Sequence, residues 1–214
     1  MLRNVPTNEL FTILIVISII FIAVAKALFP KRFNDFVYVL GSSKYLKIYS
    51  REQKFFDKFD ALLFVNLILS SAIFGFIWLG CENNQIVPSI DDLLKLIFGI
   101  GTFILIKVLF ERLIGSLFEI DTLIDQYLFQ KISYKNFLGV ILLPINLLLI
   151  YSFKPSLIVF YIIVSIILII NLVGLIATIK TNQSLIKQNF FYFILYLCAL
   201  EIAPYIILYK VFIS

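Results

Sequence analysis

Glu201 stands near the middle of an apolar run, residues 190–211, and Pro204 follows it within one helical turn. At about 1.5 Å of rise per residue the run is long enough to cross a bilayer as a helix. A carboxylate at that depth has to be neutralised, paired or wetted. Pro204 has no N–H, so the carbonyl of Leu200 loses its helical partner beside the acid. An acid next to a freed carbonyl suits a proton or a cation. The alternative is a protonated glutamic acid hydrogen-bonded to a polar residue of another helix, with a purely architectural role. Cys198 on the same run, and Asn146 and Asn171 in two other apolar runs, complete an intramembrane polar set with Glu201 and Pro204. Ser70 and Ser71 lie at comparable depth, and Lys107 is an ionic partner nearer the inner surface.

The remaining reactive residues argue against catalysis. There is no histidine, which removes the commonest general base and metal ligand. The two cysteines, Cys81 and Cys198, fall at different depths, so neither a disulfide nor a zinc or iron–sulfur site is expected. Asp121 and Asp125 stand one turn apart but lack a third carboxylate, and read as the polar face of an amphipathic helix. Asp91 and Asp92, with Ser89, suit the start of a helix. No phosphate-binding loop, dinucleotide turn or nucleophile elbow occurs. The expectation is therefore a chain that is not an enzyme, with no cofactor and no metal.

The positions of these residues depend on an envelope of apolar runs. Of 214 residues, 62% are hydrophobic, against roughly 45–50% in soluble domains. The fold class expected is an all-α integral membrane protein, a single domain of about six transmembrane helices with cytoplasmic amphipathic segments. The spans fall near residues 10–29, 61–80, 93–110, 137–153, 156–179 and 190–211. Ala23, Val24 and Ala25 imitate a signal-peptidase site, but Arg3 and Glu9 precede the run and basic residues follow it, so it is read as a retained first span. Two stretches fall short of spanning. Residues 31–60 carry Phe33, Phe36, Val37 and Leu40 at helical spacing, then Phe55, Phe56 and Phe59. Residues 111–136 carry a stripe of Leu113, Leu117, Ile120, Ile124 and Leu128, expected to continue out of the membrane or lie along its surface. Pro144 is expected to kink the fourth span.

Basic residues set the orientation. The connections after the first, third and fifth spans hold twelve Lys and Arg, and the opposite side holds Arg3, Lys154 and Lys210. By the positive-inside rule both termini are expected in the periplasm. Seven of the twelve, Lys31, Arg32, Lys44, Lys47, Arg51, Lys54 and Lys58, crowd the first connection and are expected to form a partner or lipid surface. The net charge of +5 fits this role, and no nucleic-acid module accompanies it.

Tyr196, Cys198, Glu201, Ile202, Ala203 and Pro204, followed by Tyr209 and Lys210, form an ending that resembles an uncharacterised Bacteroidetes-type multi-pass inner-membrane family, a domain of unknown function. The stretch from Leu28 through Pro30 and Arg32 to Phe33, and Arg51, Glu52 and Gln53, are similar as well. The resemblance implies a bacterial inner membrane and no assigned catalytic residue. Two functions are then expected. The first is a non-enzymatic accessory or scaffold subunit of a larger inner-membrane complex, serving envelope biogenesis or protein export, with other integral membrane proteins and the lipid bilayer as partners. The alternative is a small proton- or ion-coupled transporter using Glu201.

Overall fold

The computed structural model describes residues 9–40, 44–50, 57–82, 90–118, 120–152 and 156–181. The sixth expected span, with Cys198, Glu201 and Pro204, lies outside the described residues, as do Arg51 and Lys54 and the side chains of Lys44 and Lys47.

All regular structure among the described residues is helical, in the order α1 (Glu9–Leu28), α2 (Pro30–Val37), α3 (Lys44–Tyr49), α4 (Lys58–Glu82), α5 (Ile90–Leu117), α6 (Asp121–Tyr151) and α7 (Leu157–Thr181). Five of them, α1, α4, α5, α6 and α7, are long and apolar enough to cross a membrane. The chain is a multi-pass α-helical membrane bundle. Its outer surface shows why: Ile158, Ile162, Ile169 and Leu172 of α7, and Phe98, Leu105 and Leu109 of α5, are exposed large hydrophobics that only a hydrocarbon solvent suits.

Local chemistry sets the breaks. Glu9 opens α1 and Lys26 lies in its last turn, each complementing the helix dipole. Pro30 occupies the first position of α2, where its missing N–H costs nothing. Asp91 and Asp92 sit in the first turn of α5. Pro144 lies inside α6, which nonetheless runs unbroken from Asp121 to Tyr151.

Helix α4 is the centre of the bundle and packs on α1, α5, α6 and α7. Two apolar clusters lie at opposite ends. One joins Phe11 and Ile15 of α1, Ile73 and Ile77 of α4, Leu149 of α6 and Phe160 of α7. The other joins Ala25 of α1, Phe33 and Phe36 of α2, Tyr45 of α3, Phe59 of α4 and Phe129 of α6. Helix α1 is thus antiparallel to α4, while α4 and α6 run parallel.

Two expectations change. The stretch 111–136 is not one amphipathic segment. Helix α5 ends at Leu117 and α6 begins at Asp121, so that Leu113 and Leu117 belong to the end of α5, and Ile124 and Leu128 to the start of α6. Helix α6 has 31 residues, about 46 Å at 1.5 Å per residue, well beyond a hydrocarbon core of roughly 30 Å. The charged residues that ended the third span in the sequence reading pair across this hairpin, which lets both helices continue. The described residues of the stretch 31–60 are likewise not a single surface helix but the short helices α2 and α3: Phe33 and Phe36 are buried, while Val37 and Leu40 are exposed.

Candidate functional site

Helices α2 and α3, the described helices between α1 and α4, pack on the end of the bundle. Pro30 turns the chain into α2, whose Phe33 and Phe36 bury against Phe59 and Tyr45. Arg32, one residue before Phe33, is carried inward with them. Its Nη1 pairs with Asp57, and its Nη2 lies 2.8 Å from Asp60 Oδ2. The guanidinium also stands over the Tyr49 ring at 5.0 Å and the Phe59 ring at 4.8 Å, both within cation–π reach. Asp57 Oδ1 accepts the backbone N–H of Phe59 at 3.1 Å, as a carboxylate does at the start of a helix. Tyr49 donates to Asp35 Oδ2 at 3.3 Å, which ties α3 to α2.

Burial by itself would lower the Arg32 pKa. The charge of Asp60 and the hydrogen bond to Asp57 outweigh it and hold the guanidinium above its ordinary value. Burial, followed by the Asp60 charge, pushes the Tyr45 phenol up, against the opposing influence of Arg32 and Ser133. Tyr45 therefore stays protonated. Arg32, expected on a partner or lipid surface, is engaged in ion pairs with Asp57 and Asp60, its side chain 13% exposed, and the aromatic residues beside it draw it inward. Lys31 and Lys58 do remain exposed.

A second charged site lies between α5 and α6. Glu111 is fully buried, and Lys131 Nζ donates to its Oε1 at 2.6 Å. Tyr127 places its ring 5.6 Å from the same ammonium. Lys107, one turn before Glu111, is buried as well rather than reaching for the surface. Asp125 lies 3.8 Å from Arg112, and Asp121 and Asp125 are both exposed near the start of α6. Among the described residues no group of His, Cys, Asp and Glu could hold a metal ion.

The asparagines divide. Asn146 is buried and donates to the Ser70 carbonyl of α4 at 2.8 Å. Asn171 donates to Ile167, one turn back on its own helix, at 2.9 Å. Asn136 reaches the Asp60 carbonyl at 3.3 Å.

A family model described as a domain of unknown function (DUF4271) matches residues 11–212. The chain belongs to this family. No curated protein and no solved structure matches it. In this DUF4271 member the residues that sequence reasoning passed over are Asp57, Asp60, Tyr45, Glu111 and Asn136. Glu111 carried a signal: Leu109, Phe110, Leu113 and Ile114 flank it, so a helix here buries it. The Arg32 partners carried none, because a pairing across a connection is set by the tertiary fold.

Proposed function

We propose that the chain is a non-enzymatic accessory or scaffold subunit of a larger bacterial inner-membrane assembly, with both termini in the periplasm. The observation that carries this reading is the cap at the end of the bundle. Arg32 is engaged internally with Asp57 and Asp60, while Val37, Tyr38, Leu40 and Ile48 remain exposed beyond the end of α1, Tyr38 at 70%. Exposed apolar side chains on the segments that follow a span suit contact with another protein. A photo-crosslinking residue placed at Tyr38 or Ile48 is expected to yield a discrete protein adduct, and the same residue at Ile162 of α7 a lipid adduct. Lipid adducts alone from all three positions would refute the subunit reading. For orientation, a membrane-impermeant thiol reagent on intact cells is expected to label Lys95→Cys and to miss Lys31→Cys.

A second reading, ion-coupled transport through Glu201, draws support from the bundle's polar interior. Asn66, Ser70 and Asn146 are buried together between α4 and α6, with Asn66 Nδ2 and Asn146 Oδ1 lacking hydrogen-bond partners among the described residues. Glu201→Gln keeps shape and hydrogen bonding but cannot ionise. A Gln variant that assembles normally yet fails to complement a deletion would favour transport over scaffolding.

A further inference from the structure

A cleft of about 420 Å³ opens beside the Arg32 site, lined by Phe29, Pro30, Lys31, Arg32, Tyr49 and Asp57. We propose that it binds the headgroup of a zwitterionic phospholipid bearing a primary amine, that is, an ethanolamine phospholipid.

Position is the first argument. Phe29 to Arg32 directly follow the span α1, and Asp57 directly precedes the span α4. Span ends lie where hydrocarbon gives way to headgroups, so the cleft stands at headgroup depth. Its volume falls within the range of sites for small ligands.

Charge is the second. Lys31 is exposed and supplies a cation at the rim. On the other side Asp57 is partly exposed, and behind it Asp60 also faces Arg32, so two carboxylates meet one guanidinium. The Asp57 wall is therefore electronegative and the Lys31 wall electropositive. A phosphate alone would meet the carboxylate excess, and an amine alone would meet Lys31. A headgroup carrying both satisfies both walls, with phosphate at Lys31 and ammonium at Asp57. Asp57 Oδ1 and Oδ2 already accept from Phe59 N–H and Arg32, and each keeps a lone pair for an N–H donor. A quaternary choline headgroup has the same charge but no N–H to give. Phe29 and Pro30 supply the apolar floor on which the glycerol and first acyl carbons rest.

The test is native mass spectrometry of the detergent-purified chain titrated with phosphatidylethanolamine, phosphatidylcholine and phosphatidylglycerol of identical acyl chains. The expected result is a first site roughly tenfold tighter for the ethanolamine lipid, the factor of one charge-assisted hydrogen bond. Lys31→Ala, at an exposed position, is expected to weaken the first site several-fold for all three lipids, because each carries the phosphate, and Lys95→Ala at the opposite end to leave it unchanged. Equal binding of the choline lipid, tighter binding of the glycerol lipid, or a first site unaffected by Lys31→Ala would each overturn the proposal.

Discussion

Asn146 donates its side-chain N–H to the backbone carbonyl of Ser70, and Asn136 does the same to Asp60; each pair is separated by 76 residues in sequence. The equal separation means that α4 and α6 run parallel in constant register, pinned at two levels. Asn146→Ala is expected to destabilise the bundle by about 1 kcal/mol, the scale of an interhelical hydrogen bond in a membrane. Asn171→Ala should cost less, because its bond lies within one helix. Reversible unfolding of both variants in the same detergent measures the difference.

Between the two pins the helices come into backbone contact. A Cβ on Gly139 would lie 2.7 Å from Leu67 Cα, which no rotamer change can relieve. Gly139→Ala is expected to cost roughly 1–3 kcal/mol through forced separation of α4 and α6. A Cβ on Gly99 meets nothing within 4 Å, so Gly99→Ala should be neutral or slightly stabilising through helix propensity. Thermal unfolding of the two variants in one detergent is the comparison; equal losses would remove the close approach as the cause.

Arg32 holds the cap against the bundle through two carboxylates of unequal role. Asp60, with its side chain 12% exposed, is the more buried partner, and Asp57 is 21% exposed. Arg32→Ala leaves Asp60 buried beside no cation and is expected to cost about 3–5 kcal/mol. Asp57→Asn should cost less, and Arg32→Lys should fall between, since an ammonium cannot span both acids as a guanidinium does. Limited proteolysis within α2 and α3 reports the release of the cap, and its rate should follow that order.

Glu111 and Lys131 join α5 to α6 where both helices run past the third and fourth expected spans. Lys131→Met strands a fully buried carboxylate and is expected to destabilise strongly, by about 3–5 kcal/mol. Adding Glu111→Leu should recover part of that loss, because it removes the buried carboxylate that Lys131→Met leaves without its ammonium partner. A double-mutant cycle measures the coupling; a double variant no better than Lys131→Met would show that the site needs its charges for something besides pairing.

Much of the architecture is legible in the chain because hydrophobicity is a local property. The runs at 10–29, 61–80 and 156–179 correspond to α1, α4 and α7 since a helix in hydrocarbon must be apolar over its whole length. Pro30 announces the end of α1 by its own covalent geometry. What the chain could not announce is which charged residues meet. Lys131 comes 20 residues after Glu111, and Asp57 and Asp60 come 25 and 28 after Arg32. Each pair looks solvated until the fold removes it from water. That is why α5 and α6 extend beyond the expected spans, and why Arg32 leaves the basic surface while Lys31, its neighbour, stays on it. Helix periodicity alone determined that Phe33 and Phe36 share a face. Only the packing of α2 over Phe59 and Tyr45 decided that this face turns inward and draws Arg32 with it, because burying those rings gains more than keeping one guanidinium in water, once two carboxylates wait to receive it.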